Sequence, residues 1–269
     1  MTKRTSKLPQ KHKNSDAVIS KIERIVDLVY ASSFLKNQTP LSLMLIAPPA
    51  QSKTFFILGK KTKYSHISTD LSFMGVVKNL QKKEGKNALK HIIIPDFIKI
   101  TGKKKSTTDN LLGLLNNFLE EGIFSIDLAN REPIDFKGRT GGIITATTKA
   151  SYEQNIRDWE RMGLASRFIM VSYQYSVDTI EKIKQIINKE ESKKKKAILI
   201  KCKVTEVTSS EKINSMFNSV AGTDIRTLIQ MQNLAKCCAV IDGRDKVLIK
   251  DVNEVIGLCE IINTRFDLI

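Results

Sequence analysis

The sequence predicts an α/β fold in which a parallel β-sheet lies between helices and is followed by a small C-terminal helical domain. Two short, almost wholly apolar runs, at 41–46 and 92–94, have the composition of parallel strands that are covered on both faces. Segments with apolar residues at helical spacing separate such runs, which is typical of β-α-β crossovers. The predicted organisation is therefore a basic, disordered tail at 1–14, an α/β core at 15–175 and a helical domain at 176–269.

The α/β core begins with a predicted helix. Apolar residues recur at helical spacing from 16 to 35, and Ser15 or Asp16 can cap the start of this helix. Pro48 and Pro49 then turn the chain after the first strand. The elements predicted next are a helix from Lys53, a strand at 64–67, a helix at 70–81, a strand at 88–96 and a helix at 107–121.

The remaining pattern predicts a β-hairpin, two more core strands and the helical region. Runs at 123–128 and 133–136 alternate apolar and polar residues around a polar turn, which is the signal of a hairpin. Apolar runs at 141–147 and 168–173 predict the two strands. The C-terminal region is predicted to hold a helix at 177–188, a charged break at 193–196, a strand at 197–204, and helices from 211 onward with a break at 243–245.

The charge of the chain points to polyanionic partners. Lys and Arg total 44 against 28 acidic residues, so the formal net charge is +16 and the pI is near 9.6. Such an excess favours nucleic acid first and acidic membrane surfaces second, although lysines can also serve only to keep a surface solvated. Their clustering at 3–13, 82–90, 99–105 and 193–196 favours nucleic acid.

Several other classes of protein are disfavoured. No apolar run approaches the roughly 18 residues that a membrane-spanning helix needs, and the polar N-terminus lacks the apolar segment of a secretory signal. We therefore expect no membrane partner and a location in the cytoplasm or with the nucleoid. The four cysteines lack the spacing of a zinc site or a disulfide framework, and Cys237 and Cys238 are predicted to be small core residues.

A candidate phosphate-binding loop follows the first strand. Such loops end in a Lys-Thr pair that opens a helix, with the lysine on the phosphates and the hydroxyl on magnesium. Their glycines serve backbone geometry, because they permit positive φ and close approach to the phosphate oxygens. Here Ala47 and Ser52 occupy the two glycine positions. The candidate loop comprises Ala47, Pro48, Pro49, Ala50, Gln51, Ser52, Lys53 and Thr54.

Two further pieces fit a nucleotide site. Asp96 ends an apolar strand and is a candidate to support the magnesium ion, on a strand that the element order permits to neighbour the first one. Phe97 stands where a nucleotide hydrolase would place a glutamate to activate water; Glu120 or Glu121 could polarise water instead. Arg167 precedes the last core strand and is either a surface cation or a transition-state cation for a neighbouring subunit.

The order of these pieces resembles the AAA+ ATPases, and within them the branch that includes the minichromosome-maintenance helicases and magnesium chelatase. The resemblance covers about residues 40–262. Its parts are 47–54 (like Walker A), 92–96 (like Walker B), 119–122 before a hairpin, 143–148 (like the sensor-1 strand), 164–168 (like the arginine-finger segment), and 224–228 with 234–236 and 247–252 (like the helical lid that carries sensor 2).

The resemblance implies a role for each matching residue. The loop and Lys53 would hold the phosphates of ATP, and Thr54 and Asp96 would hold Mg²⁺. Thr148, or alternatively Thr147, would read the γ-phosphate. Arg167 would act on the nucleotide of a neighbouring subunit, and Arg226 would be the lid arginine that contacts the nucleotide. The hairpin tip, with Asn130 and Arg131, would contact nucleic acid, together with nearby Lys103, Lys104 and Lys105.

Two functions remain open at this point. The first is an oligomeric AAA+ ATPase, a ring or hexamer, that acts on nucleic acid (DNA rather than RNA) as a helicase-like motor or loader in replication or mobile-element biology, with a loading partner. The second is a nucleotide-gated scaffold or nucleic-acid-binding switch that does not hydrolyse ATP. Ser52 and Phe97 favour the second, whereas Lys53, Thr54, Asp96 and Arg167 favour the first.

Overall fold

The computed structural model of the 269-residue chain describes residues 15–82, 85, 88–127, 132–177, 179–181, 197–222 and 224–262. The predicted tail at 1–14, most of the predicted helix at 177–188 and the lysine run at 193–196 lie outside these ranges. The hairpin tip, with Asn130 and Arg131, also lies outside them.

A five-stranded parallel sheet forms the centre of the molecule, as predicted. Its strands, in spatial order, are β3 (Ser65–Ile67), β4 (His91–Ile94), β7 (Gly142–Thr147), β1 (Ser42–Ile46) and β8 (Phe168–Ser172). The sequence order left room for β1 and β4 to be neighbours. Instead β7 lies between them, with Ile144 paired to Leu43 on one side and to Ile93 on the other.

The sheet is buried on both faces, which explains why its strands are apolar without alternation. On one face Leu43 and Leu45 belong to a core formed with the first helix, the helix after the loop and the C-terminal helices. On the other face Met44 and Ile46 pack into a second core with the helices of the middle of the chain. Because the two cores cover both faces of the sheet, a ligand can reach its edges but not its faces.

Helices cover both faces of the sheet. On the first face lie α1 (Ser15–Ala31), α2 (Lys53–Leu58), α9 (Ile225–Ile241) and α10 (Ile249–Leu258). On the second face lie α3 (Phe73–Lys82), α4 (Ile98–Thr101), α5 (Lys105–Leu119) and α6 (Lys149–Arg161). Short elements complete the described fold: β2 (Lys60–Lys61) paired with β9 (Ile198–Leu199), and helices α7 (Glu211–Ser215) and α8 (Asn218–Ala221).

The C-terminal helices pack directly against α1. Arg24 of α1 forms an ion pair with Glu254 of α10, at 2.5 Å between Nε and Oε1. Cys237 and Cys238 of α9 are buried in the same hydrophobic cluster as α1, which confirms them as small core residues. The first helix of the chain and its last described helices therefore share one core.

The predicted hairpin is present as β5 (Ile123–Ile126) and β6 (Ile134–Arg139), which pair antiparallel. Gly122 begins it with φ of 89°, and a Cβ at that position would lie 2.6 Å from the carbonyl oxygen of Gly138. Glycine is required there by both the backbone conformation and the close approach. Within the described residues, no helix combines the length and the apolar composition that crossing a membrane requires.

Candidate functional site

The candidate site lies at the carboxyl edge of the sheet, where β1 and β7 end side by side. The chain leaves β1 towards β3, on one side of the sheet, and leaves β7 towards β8, on the other. The helices that follow lie on opposite faces, since α2 packs in the first core and α6 in the second. In open α/β sheets, ligands bind in the crevice that forms where neighbouring strands connect in opposite directions.

The loop from Ala47 to Ser52 has two residues in the left-handed region, Ala50 with φ of 60° and Ser52 with φ of 56°. Ser52 therefore adopts the conformation for which the phosphate-loop pattern uses glycine. Ala47, at the other glycine position, is buried at the end of β1 and has no positive φ. A left-handed residue other than glycine costs about 1–2 kcal/mol, so the surrounding contacts must hold this loop in shape.

Gln51, between the two left-handed residues, supplies these contacts. The hydroxyl of Tyr173 donates a hydrogen bond of 2.8 Å to the main-chain oxygen of Gln51. The backbone N–H of Tyr175 donates one of 2.7 Å to the side-chain oxygen of Gln51. The loop pattern identifies Gln51 only as a member of the loop. Neither tyrosine was predicted, because positions just past a strand carry no recognisable motif.

Lys53 folds back over the loop. Its ammonium group donates hydrogen bonds of 2.7 Å to the carbonyl oxygens of both Ala47 and Pro48. Burial lowers the pKa of Lys53, and the negative charge of Asp96 opposes this shift. The lysine is thus held at the centre of the loop, within the electrostatic reach of Asp96.

Asp96 lies just past the end of β4, beyond the intervening strand β7. Its carboxylate is half-buried, and its Oδ1 accepts a hydrogen bond of 3.2 Å from the backbone N–H of Ile98. The bond orients the side chain at the start of α4. Asp96 and Lys53 therefore come together although their strands are not adjacent.

Phe97 points away from the site into the second core. Its side chain is fully buried and packs edge-on against Trp159 and Phe168, with ring centroids 5.3 Å and 6.2 Å away. Its backbone N–H donates a hydrogen bond of 2.9 Å to the carbonyl oxygen of Ala146 on β7. The position that would carry a water-activating glutamate is thus a packing position here.

The two threonines at the end of β7 differ in what their hydroxyls do. Thr148 caps α6, and its hydroxyl oxygen accepts a hydrogen bond of 3.2 Å from the backbone N–H of Ser151. Thr147 is 1% exposed, and its hydroxyl has no hydrogen-bond partner among the described residues. Thr147 pairs with Ile46, next to the loop. Of the two alternatives, Thr147 has the free hydroxyl.

Arg167 lies at the opposite edge of the sheet. It directly precedes Phe168, which pairs with Ser42 at the start of β1, whereas the loop follows the end of β1. Five residues of parallel strand separate these levels, a distance of roughly 17 Å. Arg167 and Lys53 of one chain are therefore not part of the same site.

Arg226 and Glu120 lie with Arg167 at this amino edge. Arg226 donates hydrogen bonds of 2.7 Å to Glu120 and to the hydroxyl of Ser166. The Nη2 atom of Arg167 lies 2.8 Å from Oε2 of the same glutamate. Glu120, considered above for polarising water, is therefore a partner of two arginines and is remote from Lys53.

The three predicted nucleic-acid lysines have different surroundings. Lys103 forms an ion pair with Asp70 and donates a hydrogen bond of 2.7 Å to the carbonyl oxygen of Leu71. Lys104 and Lys105 are exposed at the start of α5. Of these three lysines, Lys104 and Lys105 offer exposed cationic side chains to a partner.

The oxygen donors at the loop suit magnesium. Thr54 is exposed directly after Lys53, and Asp96 provides a carboxylate whose negative charge acts on Lys53. Mg²⁺ is commonly bound by one or two protein oxygens together with substrate phosphates and water. Among the described residues, no three His, Cys, Asp or Glu side chains cluster as a metal site made by protein alone would require. The donor set therefore fits magnesium that arrives with a phosphate ligand.

Comparison with known proteins adds no relative. Neither a scan against protein-family models nor a search of curated proteins found a match for this chain.

Proposed function

We propose that this chain is an ATP-binding subunit of the AAA+ type, which assembles with copies of itself and acts on nucleic acid. One observation carries the proposal. The loop after β1 holds Lys53 on two of its own carbonyl oxygens, within the electrostatic reach of Asp96, and holds Ser52 in the left-handed conformation that phosphate loops use. The site lies at the point of the sheet where α/β proteins bind ligands.

The proposed chemistry at this edge assigns one task to each residue. Lys53 exchanges its two carbonyl partners for phosphate oxygens, since a charged acceptor makes a stronger hydrogen bond than a neutral carbonyl. Thr54 and Asp96 would hold Mg²⁺, which neutralises phosphate charge when bound. Thr147, whose buried hydroxyl lies next to the loop and has no partner among the described residues, replaces Thr148 as the residue proposed to sense the terminal phosphate.

The opposite edge is proposed to serve a neighbouring subunit. Arg167 and Arg226 lie together there, remote from the phosphate loop of their own chain. An arrangement in which the amino edge of one copy meets the carboxyl edge of the next would bring both arginines to the neighbour's nucleotide. Such a head-to-tail contact generates a ring when its rotation closes. We propose a ring or hexamer on this basis.

Nucleic acid is the proposed partner because of the charge of the chain. The net charge of +16 is suited to a phosphate backbone of either DNA or RNA. DNA is the nucleic acid proposed first. Lys104 and Lys105 are exposed and available for such contacts. A role in replication or in a mobile element, as a motor or loader with a loading partner, belongs to the same proposal.

The position of Phe97 favours a second candidate function. This aromatic side chain fills the core at the position where hydrolysis would call for a carboxylate. A nucleotide-gated switch that binds ATP without cleaving it needs Lys53, Thr54 and Asp96 but no water-activating group. The two candidates share the same binding site and differ only in turnover.

The binding site is tested by titrating a fluorescent ATP analogue with Mg²⁺. Lys53→Ala is expected to weaken binding by about tenfold or more, since it removes a charged hydrogen-bond donor. Lys36→Ala is the matched control, because Lys36 is exposed and pairs only with Glu206 at the surface. If Lys53→Ala binds the analogue as tightly as the unchanged protein, the assignment of the phosphate loop is wrong.

Turnover separates the two candidates. ATP hydrolysis should be measured with and without single-stranded DNA, duplex DNA and RNA, together with the mass in solution. Turnover that nucleic acid stimulates and that Arg167→Ala abolishes would support the motor or loader. Binding of ATP without turnover under every condition would support the switch.

A further inference from the structure

Two adjacent features of the loop call for an explanation. Ala50 and Ser52 both adopt left-handed backbone conformations, although neither is a glycine. Residues with a Cβ leave this region unless their surroundings hold them there. The residue between them, Gln51, is 6% exposed, which is unusual for a glutamine in a loop at the edge of a sheet.

Gln51 is held at two points by one segment of chain. Its main-chain oxygen accepts from the hydroxyl of Tyr173, and its side-chain oxygen accepts from the backbone N–H of Tyr175. That segment continues directly from β8, and the backbone N–H of Tyr173 donates a 3.1 Å hydrogen bond to the carbonyl oxygen of Ile46. The loop is thus bound to the strand next to its own.

Tyr173 is itself firmly packed. Its ring lies edge-on to Phe56 of α2, with centroids 6.3 Å apart, and 5.3 Å from the ring of Tyr175. Burial raises the pKa of Tyr173, so its hydroxyl stays protonated and able to donate at neutral pH. One side chain thereby fixes both the loop and the helix that follows it.

We propose that Gln51 and Tyr173 form a tether that holds the phosphate loop in its binding conformation. The tether compensates for the absence of glycine, whose backbone would adopt the left-handed conformation without strain. Gln51 is then a positioning residue: it keeps Ala50 and Ser52 left-handed so that the loop can accept phosphate. The inference rests on the proposed nucleotide site and adds to it the residues that preorganise it. A loop that is already in shape loses less conformational entropy when a ligand binds.

Each of two substitutions removes one of the two hydrogen bonds that hold Gln51. Gln51→Ala removes the side-chain acceptor, and Tyr173→Phe removes one hydroxyl while keeping the ring packed. Loss of a single neutral hydrogen bond corresponds to about fivefold, so Tyr173→Phe should weaken binding of a fluorescent ATP analogue with Mg²⁺ by about that factor. Gln51→Ala should weaken it by about tenfold, because the amide N–H of Tyr175 is left without its partner. Gln81→Ala, at an exposed position of α3, is the control.

Glycine substitutions distinguish positioning from general damage. In an Ala50→Gly, Ser52→Gly background the left-handed conformation carries little strain, so adding Gln51→Ala should cost less than about threefold in affinity. If Gln51→Ala weakens binding equally in both backgrounds, Gln51 has only a general structural role and the proposal is wrong.

Hydrogen exchange of the amides at 50–54, without nucleotide, tests the tether independently of binding. Gln51→Ala and Tyr173→Phe should speed exchange in this loop, while Gln81→Ala should leave it unchanged. Unchanged exchange in both loop variants overturns the tether. If the unchanged protein binds no ATP analogue, the proposed function fails, and exchange alone decides whether the tether exists.

Discussion

Phe97 packs edge-on against Trp159, with ring centroids 5.3 Å apart and ring planes at 85°. The negative charge of the preceding residue, Asp96, acts on Lys53 at the edge of the sheet. Asp96 therefore belongs to the candidate site, whereas the adjacent Phe97 belongs to the core. The contact explains why the residue after Asp96 is aromatic: its side chain fills the space between α6 and β8.

The packing of Phe97 predicts a large effect on stability. Phe97→Ala should lower the free energy of unfolding by about 3–5 kcal/mol, since it leaves a cavity in a fully buried position. Phe124→Ala is the matched control: Phe124 is 66% exposed, and its loss should cost less than about 1 kcal/mol. Urea denaturation measures both. Equal effects of the two substitutions would contradict the burial of Phe97.

Substitutions of the two threonines at the end of β7 should affect different properties, one the stability of the protein and the other ligand binding. Thr148→Ala removes a helix cap and should cost about 1 kcal/mol of stability. Thr147→Val keeps the shape of a side chain whose hydroxyl has no partner among the described residues, so it should leave stability unchanged or raise it. Thr147→Val should nevertheless weaken the ATP analogue or slow its turnover. The opposite pattern would reassign the role to Thr148.

The arginines at the amino edge should not influence the nucleotide of their own subunit. Arg167→Ala and Arg226→Ala are expected to leave the affinity for the ATP analogue unchanged within about twofold at protein concentrations where the chain is monomeric, because strand geometry separates the two edges by roughly 17 Å. Both should reduce assembly or turnover at high concentration. Weaker binding by the monomer would show that an arginine reaches its own site.

His91 should make stability depend on pH. It is fully buried at the start of β4, its Nε2 lies 3.0 Å from the carbonyl oxygen of Leu41, and burial lowers its pKa to about 4. In the unfolded chain His91 binds a proton near pH 6.5. The contribution of neutral, buried His91 to the free energy of unfolding is therefore complete above about pH 6.5 and is lost as the pH falls towards 4. The loss amounts to about 3 kcal/mol.

The pH effect is measured by urea denaturation at several values between pH 4 and 7. In His91→Gln, which keeps a side-chain donor, this part of the pH dependence should vanish. A pH profile that is identical in the variant and in the unchanged protein would show that other groups cause it.

Much of the fold could be predicted from local pattern. The five core strands, the hairpin and most of the long helices around them follow from periodicities that involve residues within about two turns or one strand of each other. Helix α6 (Lys149–Arg161) was not predicted. Their bounds shifted by a few residues, as with the hairpin strand predicted at 133–136 and found at Ile134–Arg139. Lys53 and Thr54 were found by their spacing from the first apolar run, and Asp96 was found because it ends another.

The amino-acid sequence specifies the set of elements and the chemistry at their ends: an apolar strand, a loop closed by Lys53, and an acid-ended strand. The tertiary structure decided how these ends combine. It placed β7 between β1 and β4, left Thr147 rather than Thr148 free, and paired Arg226 with Glu120 across 106 residues. It also tied Gln51 to Tyr173 across 122 residues. Such contacts depend on strand order and packing, which local periodicity does not encode, because a residue's neighbours in the chain do not specify which distant segment will cover it.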